Sequence, residues 1–155
     1  ATESISISNV QLPIIALYGA IGSELDVSIL RDALIKQGVK VVLPVVVKKH
    51  APLVFRQWQI GCEMSKDLFD ILTPSAANPE LVPNIILLHL LAFDEDGGRL
   101  GYGGGFYDRT LGQLGDQVIT IGVGFAGQKI QKVPMGLHDK RVDYILTENE
   151  LLKIE

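Results

Sequence analysis

Residues 99–109 read RLGYGGGFYDR, with four glycines in the five positions 101–105 and an arginine at each end. Glycine lets a backbone take positive φ and come within hydrogen-bond reach of an anion. Main-chain N–H groups converging in such a turn form an anion-binding concavity. Arg99 and Arg109 add two charges that persist at any physiological pH. The residues that follow are predicted as a helix, whose start offers unpaired N–H groups and the positive end of a dipole. Together these features predict a cradle for a polyphosphate. A plain strand-to-helix turn explains one glycine here more easily than four.

Other phosphate and metal patterns fail on specific residues. No Gly-Lys-Ser/Thr follows, so the segment is not a P-loop, and its sixth position is Phe106 where a dinucleotide fingerprint needs glycine. A literal G-x-G-x-x-G occurs as GVGFAG at 122–127, with Glu148 downstream, but Pro134 leaves no room for a crossover helix. DEDGG at 94–98 starts like a calcium loop, yet Arg99 and Gly105 stand where glycine and glutamate are required. Cys62 is the single cysteine and lies in QIGCEMS with no histidine near it in sequence, so it reads as a packed thiol. Neither a Ser/His/Asp nor a Cys/His set stands out.

The elements that must position the glycine segment follow from hydropathy patterning. LPIIALYG at 12–19 reads as a buried strand. SELDVSILRDALIKQG then reads as a helix, with Ser23 as cap, Asp26 three residues on, Val27, Leu30 and Leu34 at helical spacing, and Gly38 as stop. VKVVLPVVV at 39–47 is the next strand, interrupted by Pro44. PLVFRQW at 52–58 is a further strand, and ILTPSAANPELVPN at 71–84 a surface connection with three prolines. The most apolar stretch, IILLHLLAF at 85–93, is predicted as one central strand leading directly into the glycine segment. Residues 106–115 read as a short helix, and 117–125 and 142–148 as the last strands. His89 reads as a satisfied buried histidine.

Strands alternating with helices predict an α/β fold, a three-layer α/β/α sandwich around a mainly parallel sheet. The 155 residues suit one domain, 1–155, with a real core, since 47% are apolar. Acids outnumber bases 18 to 14, so general nucleic-acid binding is not expected and any anion must be held by a local site. No apolar run approaches a membrane span, and the lone cysteine fits a reducing compartment. The expectation is a cytoplasmic monomer acting on small molecules, without nucleic-acid or membrane partners.

LLAFDEDGGRLGYGGGFYDRTL at 90–111 resembles the signature of the 5-formyltetrahydrofolate cyclo-ligase family, also called 5,10-methenyltetrahydrofolate synthetases. SELDVSILRDALIKQGVKVVLP is similar to that family's early helix and strand, and VGFAGQKIQKVPMGLHDKRVDYILTE to its closing segment, so the resemblance runs from about Pro13 onward. It implies that ATP, as co-substrate, phosphorylates the formyl oxygen of 5-formyltetrahydrofolate. A neighbouring nitrogen then attacks the activated carbon, and phosphate leaves as 5,10-methenyltetrahydrofolate forms. Placement and charge neutralisation would do the work, with no protein nucleophile.

Carried over residue by residue, the resemblance implies that Arg99, Gly101, Tyr102, Gly103, Gly104, Gly105, Phe106 and Tyr107 contact ATP; Arg109 joins them on charge and position. Glu24, Phe69, Tyr102, Phe106 and Tyr107 would meet the folate, and Asp108 and Asp139 would hold Mg2+. Without the resemblance, Glu24 and Asp108 read as acids favouring a helix start, Asp139 as a solvated turn residue, and Phe106 and Tyr107 as core aromatics. The family usually opens with a basic helix whose Lys and Arg reach the nucleotide; this chain opens ATESISISNVQLP, and no such helix is expected in it. Gly104 stands where some members have lysine, and His89 where proline is usual. A non-catalytic folate- or nucleotide-binding relative and a sugar-phosphate or CoA-handling enzyme are the alternative readings.

Overall fold

A computed structural model of the chain describes residues 11–19, 26–100, 105–134 and 140–154. Its centre is a seven-stranded sheet built from β1 (Ile14–Ala16), β2 (Lys40–Val45), β3 (Val54–Trp58), β6 (Ile85–His89), β9 (Ile119–Val123), β10 (Tyr144–Leu146) and β11 (Leu151–Lys153). The order is β11-β10-β9-β6-β1-β2-β3. The five inner strands, β10 to β2, run parallel, and β11 and β3 close the edges antiparallel. Two small ladders stand apart: β4 (Met64–Lys66) with β5 (Leu72–Pro74), and β7 (Ala92–Phe93) with β8 (Arg99–Leu100).

Alternation along the strands divides the core between the two faces of the sheet. Ala16, Val42, Ile86, Leu88 and Ile145 face one side, where α2 (Phe106–Leu114) packs through Leu111. Ile15, Leu17, Val41, Leu43 and Leu87 face the other, where α1 (Ser28–Lys36) packs through Leu34 and Ile35. Helices on both faces make this a three-layer α/β/α sandwich. Leu88 is 1% exposed in the cluster beneath α2, so Leu88→Ala is expected to cost about 2–5 kcal/mol, measured by urea unfolding.

Several local expectations are corrected. The helix after β1 starts at Ser28, and the side chain near its start that bonds a backbone amide is Asp26, whose Oδ1 accepts from Ser28 N at 2.8 Å. Ser23 lies outside the described residues. Pro44 does not interrupt β2, because it sits opposite Phe55 within the β2–β3 ladder. The Val42 carbonyl accepts from Leu17 N, so by alternation the nitrogen of Pro44 also faces the β1 side, where β1 has already ended. The connection at 71–84 contributes β5, and its Leu81 N and Pro79 O bond to β3, burying Thr73 and Ser75.

The largest correction concerns the run at 85–93. The strand β6 stops at His89, and Ala92 and Phe93 turn away to pair with Leu100 and Arg99. The glycine segment therefore follows a hairpin, not the central strand itself. Asp94 explains the break: its buried carboxylate accepts from Asp96 N and Gly98 N, both at 2.9 Å, closing the hairpin turn. Gly98 is required there, since a Cβ would lie 2.5 Å from the Asp94 Oδ2. Once residues 94–98 have a carboxylate to wrap around, a nine-residue strand no longer competes.

Candidate active site

In the parallel part of the sheet, connections run outward in opposite directions from β1 and β6, which are neighbours. Ligands in open α/β sheets bind beyond the carboxyl ends of strands at such a switch point. Tyr18 follows β1 there, and His89 ends β6; their rings meet edge to face with centroids 5.8 Å apart. The hairpin β7–β8 and the start of α2 follow β6 on this side of the fold.

Gly105 is the turn residue at the start of α2, with φ +69. A side chain would be strained there, so the backbone favours glycine, and a Cβ, 2.9 Å from Arg109 Nη1, would also push the guanidinium aside. No side chain among the described residues caps this helix start. Arg99 lies in β8, and Phe106, Tyr107, Asp108 and Arg109 fill the first turn of α2. Gly101, Tyr102, Gly103 and Gly104, together with Glu24 and Asp139, lie outside the described residues.

The two arginines are not idle charges. Arg99 Nη2 donates to Asp108 Oδ1 at 2.5 Å, and its Nε donates to the Lys140 carbonyl at 3.0 Å. The same Asp108 oxygen accepts from Lys140 N at 3.0 Å, which closes a ring of three residues from β8, α2 and the closing segment. Arg99 and Asp108 keep only 7% and 21% of their side-chain surface exposed. Arg109 lays its guanidinium over the Phe106 ring, 4.8 Å from the centroid, and its Nε donates to Ala51 O at 3.3 Å.

Phe69 and Phe106, far apart in sequence, meet edge to face at 5.6 Å. Asp67 arranges this: its Oδ1 accepts from Phe69 N and Ile71 N, and its Oδ2 accepts from Val46 N at the end of β2. Phe69 stays about half exposed, so the pair forms an aromatic wall open to solvent. Phe106 and Tyr107 also pack against the core beneath α2, which joins the core role to the site.

Three positions escaped the sequence expectations. Asp94 reaches beyond its own turn, and its Oδ2 accepts from Val133 N at 2.8 Å. Burial alone would raise its carboxyl pKa, but the amides of Val133, Gly98 and Asp96 and the nearby Arg141 charge outweigh burial and hold it below the ordinary 3.8. Gln128 donates from Nε2 to Leu90 O and Leu91 O at 3.0 and 3.1 Å, and its Oε1 accepts from Phe125 N at 2.6 Å. It thereby ties the break after β6 to the end of β9. Gln128→Glu cannot donate those two bonds and is expected to lower stability by about 1–3 kcal/mol, read by thermal unfolding beside Gln128→Ala. Lys140 acts through its main chain, which no side-chain pattern reveals.

A cavity of about 490 Å³ lies at the opposite end of the sheet, at the amino ends of β9 and β10, and shares only Lys140 with the ring. It mixes Lys140, Arg141 and Lys153 with Asp116 and Asp143 beside the carbonyl end of α2. The Asp143 carboxylate is bonded inward to Thr120 N and Oγ1.

The fold and this constellation define a class: a doubly wound α/β domain with a glycine-rich, charge-paired helix start at its switch point. Residues 8–148 match the 5-formyltetrahydrofolate cyclo-ligase family, and the chain belongs to that family. It is 34% identical over 127 residues to the 5-formyltetrahydrofolate cyclo-ligase of Haemophilus influenzae, covering 77% of this chain and 67% of that one. The enzyme of the same name from Escherichia coli is 32% identical over 144 residues, with 88% and 79% covered. The solution structure of Aquifex aeolicus 5,10-methenyltetrahydrofolate synthetase superposes with a TM-score of 0.77 at 26% identity, over 92% of this chain and 72% of that one. The Mycoplasma pneumoniae 5,10-methenyltetrahydrofolate synthetase gives 0.62, also at 26% identity, over 90% and 75%.

Proposed function

We propose that the protein is an ATP-dependent 5-formyltetrahydrofolate cyclo-ligase. It converts 5-formyltetrahydrofolate to 5,10-methenyltetrahydrofolate with release of ADP and phosphate. Family membership over residues 8–148 carries this reading. The site supports it by setting an aromatic wall beside a helix start suited to phosphate.

In this reading the main-chain N–H groups of the glycine segment, Gly101 and Gly103 to Gly105, with Arg99, Tyr102, Phe106, Tyr107 and Arg109, hold the nucleotide. Arg109 is steadied on Phe106. Phe69 and Phe106 offer ring edges and faces to the folate, with Glu24, Tyr102 and Tyr107 as further contacts. Neither a nucleophile nor a protein acid is required, because the substrate nitrogen attacks its own activated formyl carbon. What the chain supplies is alignment and opposed charge.

Asp108 and Asp139 would hold Mg2+. The described residues contain no cluster of three or more His, Cys, Asp or Glu. A magnesium ion keeps several waters, takes one or two carboxylates and completes its shell on phosphate oxygens. When bound, magnesium would neutralise phosphate charge. The chain's part would be to hold the Asp108 carboxylate in place through Lys140 N. The reading places one chain acting alone, in the cytoplasm; no described helix is long and apolar enough to cross a membrane.

Mixing the full chain with ATP, Mg2+ and 5-formyltetrahydrofolate is expected to produce the methenyl chromophore in step with ADP. ADP release without that chromophore, or neither product, contradicts the proposal. Phe69→Ala is expected to raise the KM for the folate about tenfold with kcat nearly unchanged, since a half-exposed ring is lost from the wall but not from the core.

A further inference from the structure

The same two residues are asked for incompatible service. A phosphate clamp must offer its guanidinium to the nucleotide, and a metal ligand must offer its oxygen to a cation. Here Arg99 and Asp108 satisfy each other at 2.5 Å, and Arg99 is almost fully covered. In this arrangement Arg99 Nη2 and Asp108 Oδ1 are already engaged with each other.

Resting on the nucleotide reading above, we infer that the Arg99–Asp108 pair is an exchangeable latch. Arg99 leaves Asp108 for the nucleotide's phosphate, and the Asp108 carboxylate, no longer neutralised, takes the cation carried with that nucleotide. Lys140 makes the exchange feasible. Its amide still bonds Asp108 Oδ1 after Arg99 has gone, so the carboxylate keeps its place.

Energetics then dictate coupling. Removing one partner of a mostly buried ion pair is costly because a charge is left behind, while replacing both partners together is not. Phosphate alone would strand Asp108, and metal alone would strand Arg99. Nucleotide and metal must therefore each tighten the binding of the other, by the same factor in both directions.

The test is a double-mutant cycle read by calorimetric titration of ATP into the full chain, once with EDTA and once with excess Mg2+. In EDTA, Arg99→Gln is expected to change ATP affinity by less than about twofold, because Arg99 is still engaged by Asp108. With Mg2+ the same substitution is expected to weaken ATP by about tenfold, the loss of one charge-assisted bond. In an Asp108→Ala background, Arg99→Gln is expected to cost about tenfold even in EDTA, because no oxygen at position 108 then competes for the guanidinium. Arg99→Lys, which keeps the charge, should lose less than Arg99→Gln. Thermal unfolding of each variant, with 5-formyltetrahydrofolate binding, confirms that it is folded. An Arg99→Gln penalty that is equal with and without Mg2+, or absent from both, overturns the latch and leaves Arg99 a permanent brace. Wild-type protein that binds no ATP under either condition removes the nucleotide reading and the latch with it.

Discussion

Asp108→Asn is expected to lower turnover about a hundred- to a thousandfold at saturating ATP and Mg2+, because the proposed metal ligand loses its charge; the scale is that of one preorganised electrostatic contact. The substitution is chosen because the amide oxygen still accepts from Arg99 Nη2 and Lys140 N, so the three-residue ring persists while the charge is gone. Folding should suffer modestly, by about 1–3 kcal/mol, because Arg99 is left with a neutral partner. Steady-state kinetics beside urea unfolding separate the two effects. Turnover within threefold of wild type would remove Asp108 from the phosphate-transfer machinery and leave it a purely structural acceptor.

Asp94→Ala is expected to produce the largest loss of stability near the site. One carboxylate, 2% exposed, serves the amides of Asp96, Gly98 and Val133. Its removal leaves three donors to find new partners, two of them in buried bonds, at a total of about 3–5 kcal/mol. The penalty should depend on pH in a defined sense. Because the folded-state pKa lies below the ordinary 3.8, the ionised carboxylate stabilises the fold fully above that value, and its contribution disappears as pH falls through the folded-state pKa. Urea unfolding of wild type and Asp94→Ala at pH 7, 5 and 3 should therefore show a constant gap between the first two and a narrower one at the third. A gap that widens toward acid would mean that the carboxylate is protonated in the native state.

The parts of this molecule that were legible in advance are those that depend on neighbours in sequence. The short helix read at 106–115 is found as Phe106–Leu114. The alternating buried strands fixed the sheet type. The single strand at 85–93 misled because hydropathy cannot distinguish a continuous run from one bent by a carboxylate at its end. Asp94 was visible only as the start of a failed calcium loop, though its true partners include Val133, 39 residues away. The two arginines were visible as charge, but not their engagement: Arg99 meets Asp108 nine residues on and Lys140 forty-one residues on, through a backbone carbonyl that has no sequence signature. Gln128 is similar, since one amide group spans two loops by geometry alone. Phe69 and Phe106 were each named on family likeness; their contact depends on the Asp67 turn, which follows no periodic pattern.

In the proposed function the glycine segment and its charged flanks deliver a phosphoryl group to the formyl oxygen of the folate. Substrate carrying oxygen-18 in the formyl group tests it most directly. After one turnover with Mg2+ and ATP, mass spectrometry should find one labelled oxygen in the inorganic phosphate released, with the methenyl product unlabelled. Label appearing in water while the phosphate stays unlabelled would show that the formyl oxygen never received the phosphoryl group, and would contradict the account.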